Sequence, residues 1–126
     1  MTSSASRALR AGILFISLTG AAGAWAHAHL KAQQPAADTE VAVSPGELAL
    51  TFSEGVEEKF SGVTLTGPGD APAPAATGPA ARSPDDAARL VVPVRQALEP
   101  GTYTVSWHVV SVDGHKTQGQ YRFRVK

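Results

Sequence analysis

Short runs in which apolar and polar residues alternate with a period of two, separated by Gly, Pro and Ser clusters, dominate residues 27–126, the signature of strands with one face buried. In Glu47 to Phe52, Leu48, Leu50 and Phe52 fall on one side and Ala49 and Thr51 on the other. From Thr102 to Val110, Tyr103, Val105, Trp107 and Val109 make a second stripe; Tyr121, Phe123 and Val125 make a third, with Arg122 and Arg124 turned outward. These three stripes are the predicted core. Weaker strands are expected at Leu30 to Gln33, Gly62 to Thr66 and Leu90 to Val94, with one more within Ala71 to Thr77. Residues 67–88 are rich in Pro, Gly, Ala and Asp and read as a loop carrying at most one short strand. No window carries a helical stripe of useful length. About seven short strands with evenly spaced turns predict an all-β, immunoglobulin-like Greek-key β-sandwich, with an open barrel as the other solution.

The first residues do not fit this pattern. Arg7 and Arg10 precede an apolar run from Ala11 through Leu18 to Ala22. A spanning helix needs roughly 20 apolar residues, so this run reads as a signal peptide instead. Ala24 and Ala26 flank Trp25 in the small-x-small arrangement of a cleavage site, which puts the cut between Ala26 and His27. Residues 1–26 are then the signal peptide and 27–126 one exported domain of 100 residues, too short for two cores. With Arg7 and Arg10 removed, nine basic and eleven acidic residues remain, a net charge of about −2, which supplies no overall basic field for nucleic acid or an anionic membrane.

Cysteine is absent, although an exported chain enters a compartment that permits disulfides, and the one methionine is Met1. The mature chain therefore has neither thiolate nor thioether, and no soft site of the kind Cu(I) prefers can be assembled. Four histidines remain as candidate chemistry, at 27, 29, 108 and 115.

His27 would be the first residue after cleavage. A terminal histidine offers its α-amine and its ring Nδ1, which close a six-membered chelate on a metal. The segment Ser111-Val112-Asp113-Gly114-His115 joins the two strongest strands. Residues two apart in an extended chain point the same way, at a rise of about 3.3 Å per residue, so Asp113 and His115 can converge on one ion, with Gly114 letting the backbone bend. Three nitrogens and a carboxylate oxygen make a planar set suited to Cu(II). Zinc prefers a tetrahedron and would be an adventitious occupant.

A competing mode needs no fold. A free amine followed by histidine at the third position chelates Cu(II) through the amine, the deprotonated amides of Ala28 and His29, and the His29 ring. Because Leu30 onward reads as a strand, residues 28 and 29 are expected to be extended, which favours the folded site. His108 alternates with the Trp107 stripe and should face solvent. Trp107 itself reads as core.

His27-Ala28-His29-Leu30, Phe52-Ser53-Glu54, Gly101-Thr102-Tyr103-Thr104-Val105 with Trp107, and Ser111 to His115 together resemble the CopC family of periplasmic copper-binding proteins, in the family's order and over essentially the whole mature chain. The resemblance implies a periplasmic β-sandwich that binds one Cu(II) per mature chain in copper resistance or homeostasis, as a non-enzymatic monomer, beside an inner-membrane partner of the CopD type. It implies His27, Asp113 and His115 as ligands and Glu54 as a weak ligand or hydrogen-bond acceptor close by. The methionine-rich Cu(I) segment of some members is missing, and His108 stands where the family commonly has arginine. Two other readings are a copper monooxygenase gripping copper through the terminal histidine, and a metal-free immunoglobulin-like assembly module. Against the first, Asp113 would fill the position that oxygen activation needs open, and the mature chain keeps a single tryptophan.

Overall fold

In the computed structural model, residues 28–68 and 74–126 are described. The predicted signal peptide and His27 therefore lie outside the described residues, as do residues 71–73 of the strand expected within Ala71 to Thr77.

Eight strands follow one another: β1 (Leu30–Gln34), β2 (Glu40–Val41), β3 (Glu47–Phe52), β4 (Gly62–Thr66), β5 (Ala81–Arg82), β6 (Arg89–Pro93), β7 (Gly101–Val110) and β8 (Lys116–Val125). A short 3-10 helix, Glu58–Phe60, precedes β4. The strands form two four-stranded sheets in the orders β1-β3-β6-β5 and β2-β8-β7-β4. Only β5–β6 and β7–β8 pair with their chain neighbour in the same sheet; every other connection crosses between sheets, as a Greek-key sandwich requires.

The period-two stripes meet between the sheets. Leu48, Leu50 and Phe52 of β3 and Leu90 and Val92 of β6 face Tyr103, Val105 and Val109 of β7 and Tyr121, Phe123 and Val125 of β8, all buried. The Tyr103 and Phe123 rings stack with centroids 5.8 Å apart. Trp107 is half-buried and meets Phe52 edge-on at 5.1 Å. The Tyr103 hydroxyl donates to the Glu99 carbonyl at 2.8 Å, a tyrosine bonded back to the chain just before its strand, as immunoglobulin-like domains use to fix a corner.

Three details depart from the sequence pattern. Ala49, on the opposite side of β3 from the core stripe, is also buried, because β1 and β6 flank it as Gln34 and Val91 in register. The region around Ala71 to Thr77 carries isolated bridges, Thr66 with Pro74 and Thr77 with Val94, and the short strand of the long loop is instead β5. β2 and β5 have two residues each, too short to show a period, and they are held by tertiary pairing.

Candidate metal centre

The β7–β8 hairpin is long and in register from Gly101 opposite Val125 to Val110 opposite Lys116, and it ends in a tight turn at Ser111 to His115. The Ser111 amide donates to the His115 carbonyl at 2.9 Å, and the Gly114 amide to the Ser111 carbonyl at 2.8 Å. Gly114 sits at φ +90°, a conformation that costs a side-chain-bearing residue energy. Val112 donates to the Gly55 carbonyl at 3.0 Å, docking the turn on the segment that follows β3.

Asp113 and His115 meet on this turn. Asp113 Oδ2 lies 3.1 Å from His115 Nδ1, and the His115 amide donates to Asp113 Oδ1 at 3.3 Å. They converge because the chain folds back through Gly114. The sequence predicts this convergence from an extended chain that bends at Gly114; in the structure the bend is a full tight turn, and the turn brings the two side chains together. The Ser111 hydroxyl donates to Asp113 Oδ1 and also reaches the His115 carbonyl at 3.3 Å. That hydroxyl, first, and then His115 hold the Asp113 carboxyl below the usual aspartate range, against a partial opposition from burial. Both side chains keep solvent access, His115 at 49 % and Asp113 at 34 % exposure, so an ion can reach them.

Ser111 was missed in sequence. It is the buried polar residue of the described chain, at 0 % exposure, and its role is to aim the carboxylate. The signal was present, since a serine two positions before Asp-Gly is a turn-forming pattern.

The start of the described chain is fastened to the same end of the sandwich. Ala28 is buried, and its carbonyl accepts a 2.9 Å bond from the Thr117 hydroxyl, two positions beyond His115. His29 is exposed. Its amide donates to Ser53 Oγ and its carbonyl accepts from the Ser53 amide, each at 2.9 Å.

Glu54 follows Ser53 on the segment against which the turn docks, half-buried, and its side chain makes no hydrogen bond or ion pair with another described residue. Among the described residues, Asp113 and His115 are predicted ligands in contact with each other, and no cluster of three or more His, Cys, Asp or Glu occurs there. His108 is exposed on the outer face, as expected, with its ring lying across Gly62 of the neighbouring strand.

The CopC domain model matches residues 30–126. The chain belongs to the CopC family. It is 55% identical over 102 residues to Protein YobA of Escherichia coli (strain K12), covering 81% of each chain. Copper resistance protein C of Escherichia coli is 40% identical over 109 residues, covering 82% of this chain and 84% of that one. Among solved structures, PcoC, a methionine-rich copper resistance protein from Escherichia coli, superposes with a TM-score of 0.73 at 41% identity, over 80% of this chain and all of that one. The CopC-family sandwich thus carries, in this member, the Asp113–His115 pair at the tip of its longest hairpin.

Proposed function

We propose that this chain is an exported copper-binding protein of the periplasm that takes one Cu(II) through His27, Asp113 and His115 after cleavage between Ala26 and His27, acting as a buffer or carrier and catalysing no reaction. The observation that carries the reading is the Asp113–His115 pair together with the anchorage of Ala28 beside it. Metal–nitrogen and metal–oxygen bonds to such ligands run about 2.0–2.2 Å, so two donors at right angles on one ion stand about 3 Å apart. The 3.1 Å between Nδ1 and Oδ2 fits such a pair, with copper replacing the shared proton. Residue 27 is bonded to Ala28, and consecutive Cα atoms are about 3.8 Å apart, so a terminal chelate needs only a short reach from the Thr117 anchor to the hairpin tip.

The composition selects the oxidation state. Nitrogen and carboxylate donors suit Cu(II), and the mature chain has neither thiol nor thioether, unlike a relative described as methionine-rich. The alternative four-nitrogen terminal mode would require deprotonating the amides of Ala28 and His29. The His29 amide is committed to Ser53 and Ala28 is buried, so wrapping them around an ion would break both arrangements. Glu54 and His29 stand on neighbouring segments, where they can accept from or orient a metal-bound group. A monomer that hands copper to an inner-membrane protein of the CopD type is the matching cellular role.

Electron paramagnetic resonance of the Cu(II)-loaded chain beginning at His27 tests this directly. Three nitrogens and one oxygen are expected, and adding one residue before His27 or replacing His115 by alanine should weaken binding on the order of a hundredfold. A four-nitrogen spectrum insensitive to His115→Ala would reject the folded site in favour of the terminal mode.

A further inference from the structure

The copper site accounts for one end of the sandwich and leaves the outer face of the β2-β8-β7-β4 sheet unexplained. Along β8, Lys116, Gln118, Gln120, Arg122 and Arg124 are all exposed, alternating with the core residues, and Lys126 follows them. No acidic residue occurs from Lys116 to Lys126. β8 pairs with β7 along its whole length and with the two-residue β2 only at Arg124 and Val125, so this row runs along the margin of the face and extends for roughly 33 Å at about 3.3 Å per residue. The flanking outward positions of β7 and β4, such as Ser106, Thr104 and Thr64, carry no charge. Carboxylates adjoin towards both ends: Glu40 pairs with Arg124 at 3.4 Å, Asp38 lines the same depression as Arg122 and Arg124, and Glu57 and Glu58 precede Phe60 in the chain. No ion pair to Lys116, Arg122 or Lys126 occurs among the described residues. The near-neutral sum over the chain conceals the concentration of cations on this one strand.

The face also carries depressions. A depression of about 740 Å³ lies at its upper end, lined by Phe60, His108, Val110, Lys116 and Gln118 among others, and Phe60 is 64 % exposed within it. A second of about 410 Å³ adjoins through His108 and Gln118, and a third of about 310 Å³ lies at Arg122 and Arg124. His108 shapes the join, because its ring lies over Gly62, where a side chain would collide with it at 2.5 Å.

We propose that this face docks an acidic segment of a partner polypeptide, laid along β8 with its carboxylates on Lys116, Arg122 and Arg124 and one apolar side chain seated beside Phe60. The charge row selects an anionic partner. Gln118 and Gln120 stand between the cations along β8 and can hydrogen-bond the backbone of an extended polypeptide, a match that a bilayer surface does not offer. A single exposed aromatic in a pocket is the anchor such interfaces use. This inference does not depend on the copper reading.

The test uses the chain beginning at His27 and a labelled synthetic peptide of alternating Glu and Ser with one central Trp, followed by fluorescence anisotropy. Binding should weaken roughly tenfold between about 20 and 200 mM salt, as the Debye length shortens severalfold. Arg122→Gln with Arg124→Gln, both exposed and so tolerant of exchange, should raise Kd about tenfold, and Phe60→Ser about threefold, with Cu(II) affinity unchanged in both. Equal binding of a Lys-for-Glu peptide, or no loss in the arginine variant, overturns the proposal. Arginine-dependent binding to phosphatidylglycerol vesicles without binding to the peptide overturns it in favour of a membrane.

Discussion

Ser111 shows how one buried side chain can order an exposed pair. It is fully buried, bonds to Asp113 Oδ1 and the His115 carbonyl, and keeps the carboxylate ionised and aimed. Ser111→Ala should raise the Asp113 pKa toward the ordinary aspartate range, readable by NMR titration, and lower Cu(II) affinity about tenfold, the usual effect of losing a group that orients a ligand. An unshifted Asp113 titration in that variant would remove Ser111 from the site. Tyr121 illustrates the opposite case. Its hydroxyl is buried without a hydrogen-bond partner among the described residues, and burial pushes its pKa up to about 12. The unfolded chain releases that proton near pH 10. Between about pH 10 and 12 the native state therefore holds more protons than the unfolded state, and stability falls as pH rises through that window, by on the order of 2–3 kcal/mol. Tyr121→Phe should flatten this alkaline loss and, by removing an unpaired buried hydroxyl, stabilise the protein at neutral pH by about 1 kcal/mol. Urea denaturation at pH 7 and pH 11 checks both signs.

Strand β8 carries three jobs at once: its inward residues build the core, its outward residues make the cationic row, and its start, directly after His115, carries the Thr117 that holds Ala28. Such density explains Gly119. It lies opposite Trp107 in the hairpin, and a Cβ there would come within 2.6 Å of Trp107 Cζ2. Gly119→Ala should therefore cost about 1–3 kcal/mol by overpacking, measurable as a lowered denaturation midpoint. Trp107→Ala should cost more, about 3 kcal/mol or slightly above, since it also loses the edge-on contact with Phe52. Should Gly119→Ala prove neutral, the tryptophan does not cover the strand as described. The strong strands were legible from their alternation: Glu47–Phe52 is found as expected, and β7 begins one residue early at Gly101. β8 was recognised only from Tyr121 onward, because Lys116, Gln118, Gly119 and Gln120 dilute the apolar stripe near the hairpin tip. β2 was not legible at all. Its pairing is parallel to β8, Glu40 beside Arg124, and depends on a segment distant in sequence.

For the whole molecule, the copper reading couples processing to stability. A ligand that binds only the folded state stabilises it by RT ln(1 + [L]/Kd), about 2.7 kcal/mol at a hundredfold excess over Kd. For a domain of this size that shift corresponds to a rise in Tm of about 10 °C or more. Cu(II) should produce it in the chain beginning at His27, and much less in one that keeps residues before His27. Calorimetry of the two forms distinguishes a site built from the new terminus from one built by internal side chains alone. Affinity should also decline as pH drops from 8 to 5, because copper must displace protons from an amine and two imidazoles; a flat profile would argue against these donors. Competitive titration with a chelator of known affinity reads this profile.

What the amino-acid sequence by itself determined is set by local chemistry: alternation made the sandwich strands, the absence of cysteine removed thiolate donors and disulfides, and the Asp-Gly-His spacing nominated the hairpin tip. What only the tertiary structure decided is set by contacts between residues far apart in the chain. Thr117 holds Ala28 across 89 positions, Ser53 commits the His29 amide across 24, and Ser111 becomes a buried support only once the sandwich closes over it. The cationic face was likewise invisible in the net charge, because a sum over residues has no direction, whereas a strand sends every second side chain to the same side of a sheet.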